Sequence, residues 1–436
     1  MLPYAGRQGT LYRSDRRMLV RILSFLILAG LSAALSGAPT AGAPAPPHPG
    51  AARIRHVFII VLENKNYEDT FERSVQDPYL GKTLPTLGAV LTRYYGTGHF
   101  SLDNYLAMIS GQASSKATEA DCEEFSDFRL LRVDGEGQAV GTGCVYPTQI
   151  KTLADQLQGA GFSWKGYMED MGNDPARESE TCGHPKLNEK DPTQAAEAPR
   201  PGVPAGDQYA ARHDPFVYFH SIIDAPACAT SVVNLKALPK DLESPRTTPN
   251  FSFITPNLCN DGHDGDGGGA PGRGCADGRP GGLASTDAFL RTWVPKILGS
   301  PAYKEDGLLI ITFDEGDFSR PVKHTDPMTG KTTITTSAKG EYCCGQRIGP
   351  NIERPTVQTY VESPTVTDLV KIEGYGGDRI GAILLSPFIR PGTVSDVPYN
   401  HYSLLRSLED IYGVGHLGYA AQGGLTTFGR DIFNNP

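Results

Sequence analysis

The chain predicts a doubly wound α/β domain with a mostly parallel central sheet flanked by helices and interrupted by loop insertions. Three observations predict it. Four short apolar runs, His56–Leu62 (HVFIIVL), Phe251–Thr255 (FSFIT), 308–313 (LLIITF) and 380–386 (IGAILLS), are rich in β-branched residues and do not alternate. Strands covered by helices on both faces read this way. Helix-like stretches fall between them, at 105–110, 150–160, 231–242, 286–298 and His401–Tyr412, and such alternation marks a βα-type chain. Finally, polar residues able to bind a metal follow three of the runs: Glu63-Asn64 the first, Asn257 and then His263-Asp264 the second, Asp314-Glu315 the third.

The elements sit within 436 residues, of which 39% are hydrophobic and 20% charged. These values are ordinary for a soluble globular protein. A net charge of −9, with no basic face obvious in the sequence, argues against nucleic acid as a partner, because phosphate backbones are bound by grouped Lys and Arg. A small phosphorylated substrate stays compatible, since a bound cation supplies positive charge locally. Residues 1–43 read as a secretory signal segment. Arg13, Arg16, Arg17 and Arg21 precede the apolar run 22–35, and Ala41-Gly42-Ala43 resembles a cleavage site. Ser14-Asp15-Arg16-Arg17 also resembles a twin-arginine signal, while a start at Met18 would leave an ordinary one. The run is too short to be a stable membrane span. A Pro/Ala-rich linker (44–53) leads into one domain (54–436), placed outside the cytoplasm, secreted or in the cell envelope or periplasm, by the Sec or twin-arginine route. All eight cysteines lie in that domain, and an even count in an exported chain reads as disulfides. Pairing sequence neighbours gives Cys122–Cys144, Cys182–Cys228 and Cys259–Cys275, with Cys343 and Cys344 left as a vicinal bridge or as two cysteines with separate partners; other pairings satisfy the count equally.

In open α/β sheets the ligand crevice lies beyond the carboxyl ends of the strands. Glu63, Asn64, Asp314 and Glu315 are therefore expected together at one sheet edge, where carboxylate and amide oxygens suit a hard divalent cation. A solvated turn is the competing reading of each acidic pair. Ser101, in Gly98-His99-Phe100-Ser101-Leu102-Asp103-Asn104-Tyr105, opens a helix, whose positive end favours an anion beside the hydroxyl. Ser101 or Asp103 as a plain helix cap is the competing reading there. His213, His263 and His401 are candidate ligands, phosphate contacts or general acids. The 259–275 loop, with Asp261, Asp264 and Asp266, has the look of a calcium loop. It fails the EF-hand pattern, because the twelfth position from Asp264 is Cys275. The stretch 170–207 reads as a surface excursion and 319–367 as a hairpin insertion near the site.

Taken in order, Val61-Leu62-Glu63-Asn64-Lys65-Asn66-Tyr67, His99-x-Ser101-x-Asp103-Asn104-Tyr105, Arg212-His213-Asp214-Pro215-Phe216, Phe313-Asp314-Glu315-Gly316 and Asn400-His401-Tyr402-Ser403-Leu404-Leu405-Arg406 resemble the phosphoesterase family. This is the family of acid phosphatases and phosphatidylcholine-type phospholipases C, within the alkaline-phosphatase-like superfamily. The resemblance runs from His56 to about Gly413. It implies an exported, metal-dependent phosphoric-ester hydrolase in which Ser101 is the nucleophile and forms a phosphoserine intermediate. One divalent ion (Ca, Mn, Mg, Zn or Fe) would be held by Glu63, Asn64, Asp314 and Glu315. Asn104 and His99 would contact substrate, and His213, His263 and His401 would line the pocket as catalytic groups. A phosphomonoesterase of the acid phosphatase type is the leading expectation. A phospholipase C acting on phosphodiester lipid headgroups is the alternative, and an inactive binding module on the same fold comes third. One departure stands out: the family often has Pro where this chain has Asp103, and a carboxylate beside phosphate would repel it unless it faces away.

Overall fold

The computed structural model describes residues 49–73, 75–265 and 274–435, all within the unit Ala43–Pro436. The signal segment and the first part of the linker lie outside the described residues, as does Asp266 of the 259–275 loop. The central strand, β1 (His56–Leu62), is buried along its whole length. Burial of each such aliphatic side chain contributes about 1.5–3 kcal/mol, which explains why this segment sits at the middle of the fold. The other sheet strands are β2 (Ala89–Leu91), β3 (Trp164–Met168), β4 (Val232–Asn234), β5 (Phe251–Thr255) and β6 (Gly307–Phe313). An inserted group follows: β7 (Val322–Thr325), β8 (Thr332–Ala338), β9 (Thr356–Ser363) and β10 (Val366–Ile372). The chain then returns to the main sheet with β11 (Ala382–Leu385) and β12 (Thr393–Ser395).

The eight-stranded main sheet has the order β12-β2-β11-β6-β1-β5-β3-β4. β1 pairs in parallel with β5, Val57 opposite Phe251, and with β6, His56 opposite Gly307. The carboxyl ends of β6, β1 and β5 therefore lie side by side at one edge. Against expectation, the 380–386 run supplies an antiparallel strand, β11, which pairs with both β6 and β2. An apolar run carries no directional signal, and a short return to the sheet fixes the direction here.

Of the helices, α1 (Ser101–Ser110), α2 (Leu153–Gly159), α3 (Gly282–Gly299) and α4 (His401–Tyr412) cover the sheet. The expected helix at 231–242 is instead strand β4, a 3-10 turn and one helical turn at Leu238–Asp241. Val232 and Val233 favour the strand, the Asn234 side chain accepts a hydrogen bond from Lys236 N, and Pro239 starts the last turn. The 150–160 stretch helices only from Leu153, where Thr152 and Asp155 form a reciprocal capping box. The 319–367 region is larger than a hairpin. It is a four-stranded sheet in the order β7-β8-β10-β9, with β8 and β10 parallel.

The cysteine pairs Cys122–Cys144, Cys182–Cys228, Cys259–Cys275 and Cys343–Cys344 are all bonded. No helix among the described residues is long and apolar enough to cross a membrane.

Candidate active site

Three strand ends build the site. The turn after β1 is tied on both sides: Glu63 N donates to Asp261 O at 2.9 Å, and Asp314 N donates to Leu62 O at 2.9 Å. Asn64 adopts a left-handed conformation, φ 50°, which Asn tolerates better than most residues. That turn aims its backbone N–H at Asp314 Oδ1 (3.0 Å) and its side-chain amide at Glu315 Oε1 (3.1 Å). The four residues expected to form one cluster are therefore brought together, fully or almost fully buried.

Helix α1 delivers Ser101 into this cluster from the other side. Its hydroxyl donates to Glu63 Oε2 at 2.6 Å, and the Tyr105 hydroxyl one turn later donates to Glu63 Oε1 at 2.6 Å. The residue before the helix, Phe100, holds φ 91° and ψ 137°, a conformation costly for any residue with a side chain and especially for a bulky one. Hydrogen bonds hold it there. Phe100 N donates to Glu315 Oε2 at 2.7 Å, and Phe100 O accepts from Asn104 Nδ2 at 3.1 Å.

Asn104 has no bonding capacity left for a substrate. Its Oδ1 accepts from Thr97 N (2.8 Å), Gly98 N (3.1 Å) and Thr97 Oγ1 (3.2 Å), and its Nδ2 also donates to Gly98 O (2.9 Å). The structure places it as the clasp of the turn that presents Ser101. Asp103 points away from the cluster. Its carboxylate accepts from Ser114 Oγ at 2.7 Å and packs beneath Gly98, where an added Cβ would meet Asp103 Oδ2 at 2.5 Å.

The histidines separate into distinct environments. His99 is fully buried, with Nδ1 3.1 Å from Glu315 Oε2 and Nε2 3.1 Å from Asp378 Oδ2. Burial disfavours its charge, but the two carboxylates outweigh burial and push it up to about 10. Set between two carboxyl groups, with each ring nitrogen 3.1 Å from one of them, it positions Glu315 and does not face a substrate. His213 stacks on Tyr105 at 5.3 Å, with Nε2 3.3 Å from Glu63 Oε2 and Nδ1 3.4 Å from Asp261 Oδ2. Burial, reinforced by Arg212, pushes it well below the usual imidazole range, so it is neutral.

His401 stands behind the cluster. Its Nε2–H donates to Asp314 O at 2.6 Å, which leaves Nδ1 to accept from the Tyr94 hydroxyl at 3.1 Å. With both nitrogens engaged and burial pushing it down to about 4, its role here is to fix the Asp314 backbone. His263 is the one exposed member of the set, with its side chain 45% accessible and Nδ1 3.2 Å from Asp264.

Asp261 and Asp378 complete the arrangement without having been singled out as site residues. Asp261 stood among the acids of a glycine-rich loop, and its backbone bond to Glu63 and its contact with His213 reveal its place. Asp378, in Gly376-Gly377-Asp378-Arg379, follows the inserted sheet and carries no sequence signal beyond its flanking glycines. Its Oδ1 accepts from Glu341 N at 2.5 Å.

Comparison with known proteins bears on this geometry. The profile of the Phosphoesterase family matches residues 75–415, which is most of the chain. The chain belongs to the Phosphoesterase family. The matched span begins after Glu63 and Asn64, so it is the sheet register that joins those two residues to the family's region. A probable acid phosphatase from Kluyveromyces lactis is 25% identical over 270 residues, 61% of this chain and 48% of that protein. A phosphatidylinositol-3-phosphatase from Mycobacterium tuberculosis is 23% identical over 410 residues, 93% of both chains. The chain spans about half the length of the fungal acid phosphatases it matches. An alkaline phosphatase superfamily protein from Vibrio parahaemolyticus superposes with a TM-score of 0.45 at 12% identity, covering 87% of this chain and 72% of that one.

The metal implied by this family's resemblance can be tested against the donor set. Burial and the neighbouring Asp314 and Asp261 push Glu63 well above the carboxylate range. Burial likewise lifts Asp314 to about 6, and lifts Asp261 to about 7 against the pull of His263. Asn64 Oδ1, Asp314 Oδ2 and Asp261 Oδ2 are buried and lack hydrogen-bond partners. Buried oxygens that crowd negative charge and have no donor are what a divalent cation relieves, so the residues fit. A second grouping, Cys259, Cys275 and Asp277, does not fit, because its two sulfurs are joined in a disulfide.

Proposed function

We propose that the chain is an exported, metal-dependent phosphoric-ester hydrolase that acts through Ser101, with phosphate monoesters as its leading substrates. One observation carries the reading: the Ser101 hydroxyl, at the positive end of α1, donates to Glu63 inside a buried carboxylate cluster with orphaned oxygens. Glu63, Asn64, Asp314 and Glu315 would hold the cation. When bound, it would neutralise phosphoryl oxygens and lower the hydroxyl pKa.

The remaining steps belong to the chain. Ser101 Oγ attacks phosphorus as its proton passes to Glu63, whose burial makes it a stronger base than a surface carboxylate. The ester P–O bond breaks, and the leaving alcohol takes up a proton. His263, open at the rim, is the donor we assign. Neutral His213, 3.3 Å from Glu63, relays the proton onward so that Glu63 is ready again. Water then attacks phosphorus and the Oγ–P bond breaks; Ser101 Oγ takes up a proton, phosphate leaves, and His263 regains its proton from solvent. The dipole of α1 stabilises the charge on the transferred group throughout. Export is supported by four disulfides, which persist in oxidising compartments.

A lipid monoester is the second reading, favoured by the relative matched over 93% of both chains, which is named for a phosphoinositide. The test is hydrolysis of a chromogenic phosphate monoester, a chromogenic phosphocholine diester and a phosphatidylinositol monophosphate, with chelator and metal add-back. Preference for the diester would replace the phosphatase reading with phospholipase C. Absence of turnover on all three with every metal would leave a binding module.

A further inference from the structure

We propose that the face of the molecule opposite Ser101 carries a second anion-binding pocket, built by Arg53, Arg390 and Arg430, that takes a phosphate-bearing ligand. The proposal stands independently of the Ser101 chemistry. Arg53 lies three residues before β1, whereas Glu63 follows its end, so the length of β1 sets the two sites about 20 Å or more apart. Antiparallel β11 brings the chain to the same far edge. Leu385, its last residue, pairs with Leu309 near the start of β6, and Arg390 follows. The C-terminal tail closes the third side: Asn434 Oδ1 accepts from Arg390 N at 2.8 Å and Asn435 N donates to Phe388 O at 3.1 Å.

The resulting pocket has a volume of about 600 Å³, with Phe433 and Pro49 among its walls and, among the described residues, no acidic residue in its lining. The three arginines are exposed, and among the described residues their guanidinium groups have no hydrogen-bond or ion-pair partner. Arg53 is steadied by stacking over the Phe388 ring at 4.1 Å. The nearest carboxylate in sequence, Asp431, is engaged by the hydroxyls of Ser395 and Tyr399. In a chain of net charge −9, surface arginines have an excess of acids to pair with. Three that converge without one repel each other until an anion joins them, and guanidinium forks match phosphate oxygens. The volume exceeds what one phosphate fills and falls in the range of small-molecule sites, so the pocket has room for an organic body beside the phosphate. A soluble phosphorylated compound and an anionic phospholipid headgroup share this chemistry.

The test uses the full chain and an Arg390→Ala/Arg430→Ala variant, with folding checked by circular dichroism and by unchanged monoester hydrolysis. Isothermal titration with inorganic pyrophosphate is run on both, each also carrying Ser101→Ala and Asp314→Ala to weaken the catalytic site. Flotation is run with vesicles of phosphatidylcholine alone and of phosphatidylcholine with one-fifth phosphatidylglycerol. We expect pyrophosphate binding, or flotation with the anionic vesicles only, to weaken about tenfold or more when the arginines are removed. Loss in the titration alone identifies a soluble ligand, and loss in flotation identifies a lipid headgroup. Equal behaviour of the two chains in both assays overturns the proposal.

Discussion

At the scale of single residues, the turn before α1 decides how Ser101 is presented. Phe100 carries the backbone strain that turns the chain into α1, and this makes a prediction that separates strain from packing. Phe100→Ala and Phe100→Gly both lose the ring, but only glycine relaxes at φ 91°. The glycine variant should therefore be more stable than the alanine variant by about 1 kcal/mol in urea denaturation. Equal stability, or the reverse order, would show that the turn stores no strain. Asn104 offers a second test. As a clasp with five hydrogen bonds, its removal should destabilise the fold by about 2–4 kcal/mol. For the molecules that remain folded, KM should change little. A KM rise of about tenfold with unchanged stability would restore Asn104 as a phosphate contact. Glu63, Asn64, Asp314 and Glu315 were legible in the sequence because each follows an apolar run that could only be a buried strand. The orientations of Asn104, His99 and His401 were not. They depend on a strained turn, on Asp378 more than 270 residues away, and on a backbone carbonyl, none of which leaves a local pattern.

At the scale of elements, the insertion braces the site from outside through the segments that leave the ends of β8 and β10. Asp378 links it to His99 through Glu341 N, and Gln346 Nε2 donates to Thr97 O (2.7 Å) and Tyr375 O (2.8 Å). These bonds pin the turn 97–100 to the insertion. Gln346→Ala should cost about 1 kcal/mol in stability and lower kcat by roughly tenfold with KM nearly unchanged, since misplacing a nucleophile affects the step rather than binding. An unchanged kcat would show that the insertion is not coupled to the turn. The parallel strands β1, β5 and β6 were readable from their unbroken apolar runs. The direction of β11 and the extent of the insertion were not, because strand polarity and pairing follow from long-range contacts. The 231–242 stretch misled for a related reason: two valines at a sheet edge override a helix-like spacing when a neighbouring strand is available.

At the scale of the whole molecule, the buried acids couple stability to pH and, on the proposed reading, to cations. Asp314 and Asp261 titrate in the folded protein at about 6 and about 7, above the usual carboxylate value near 4. A carboxyl raised on folding contributes stability that is complete below its unfolded pKa and lost as pH climbs through the folded one. Chelator-treated protein should therefore show a Tm that falls by roughly 5 °C between pH 5 and 8. A divalent cation, which needs the deprotonated ligands, should restore Tm most strongly at the upper end. A flat profile that ignores added metal would contradict a cation site. The most direct test of the central claim is to quench the enzyme during turnover of a phosphate monoester and locate any phosphoryl group by peptide mass spectrometry. Our account predicts phosphate on Ser101 in the presence of divalent metal. It also predicts that Ser101→Ala shows no adduct and loses at least about a thousandfold in kcat. Turnover within a few-fold of the parent in Ser101→Ala, or an adduct on another residue, would contradict it.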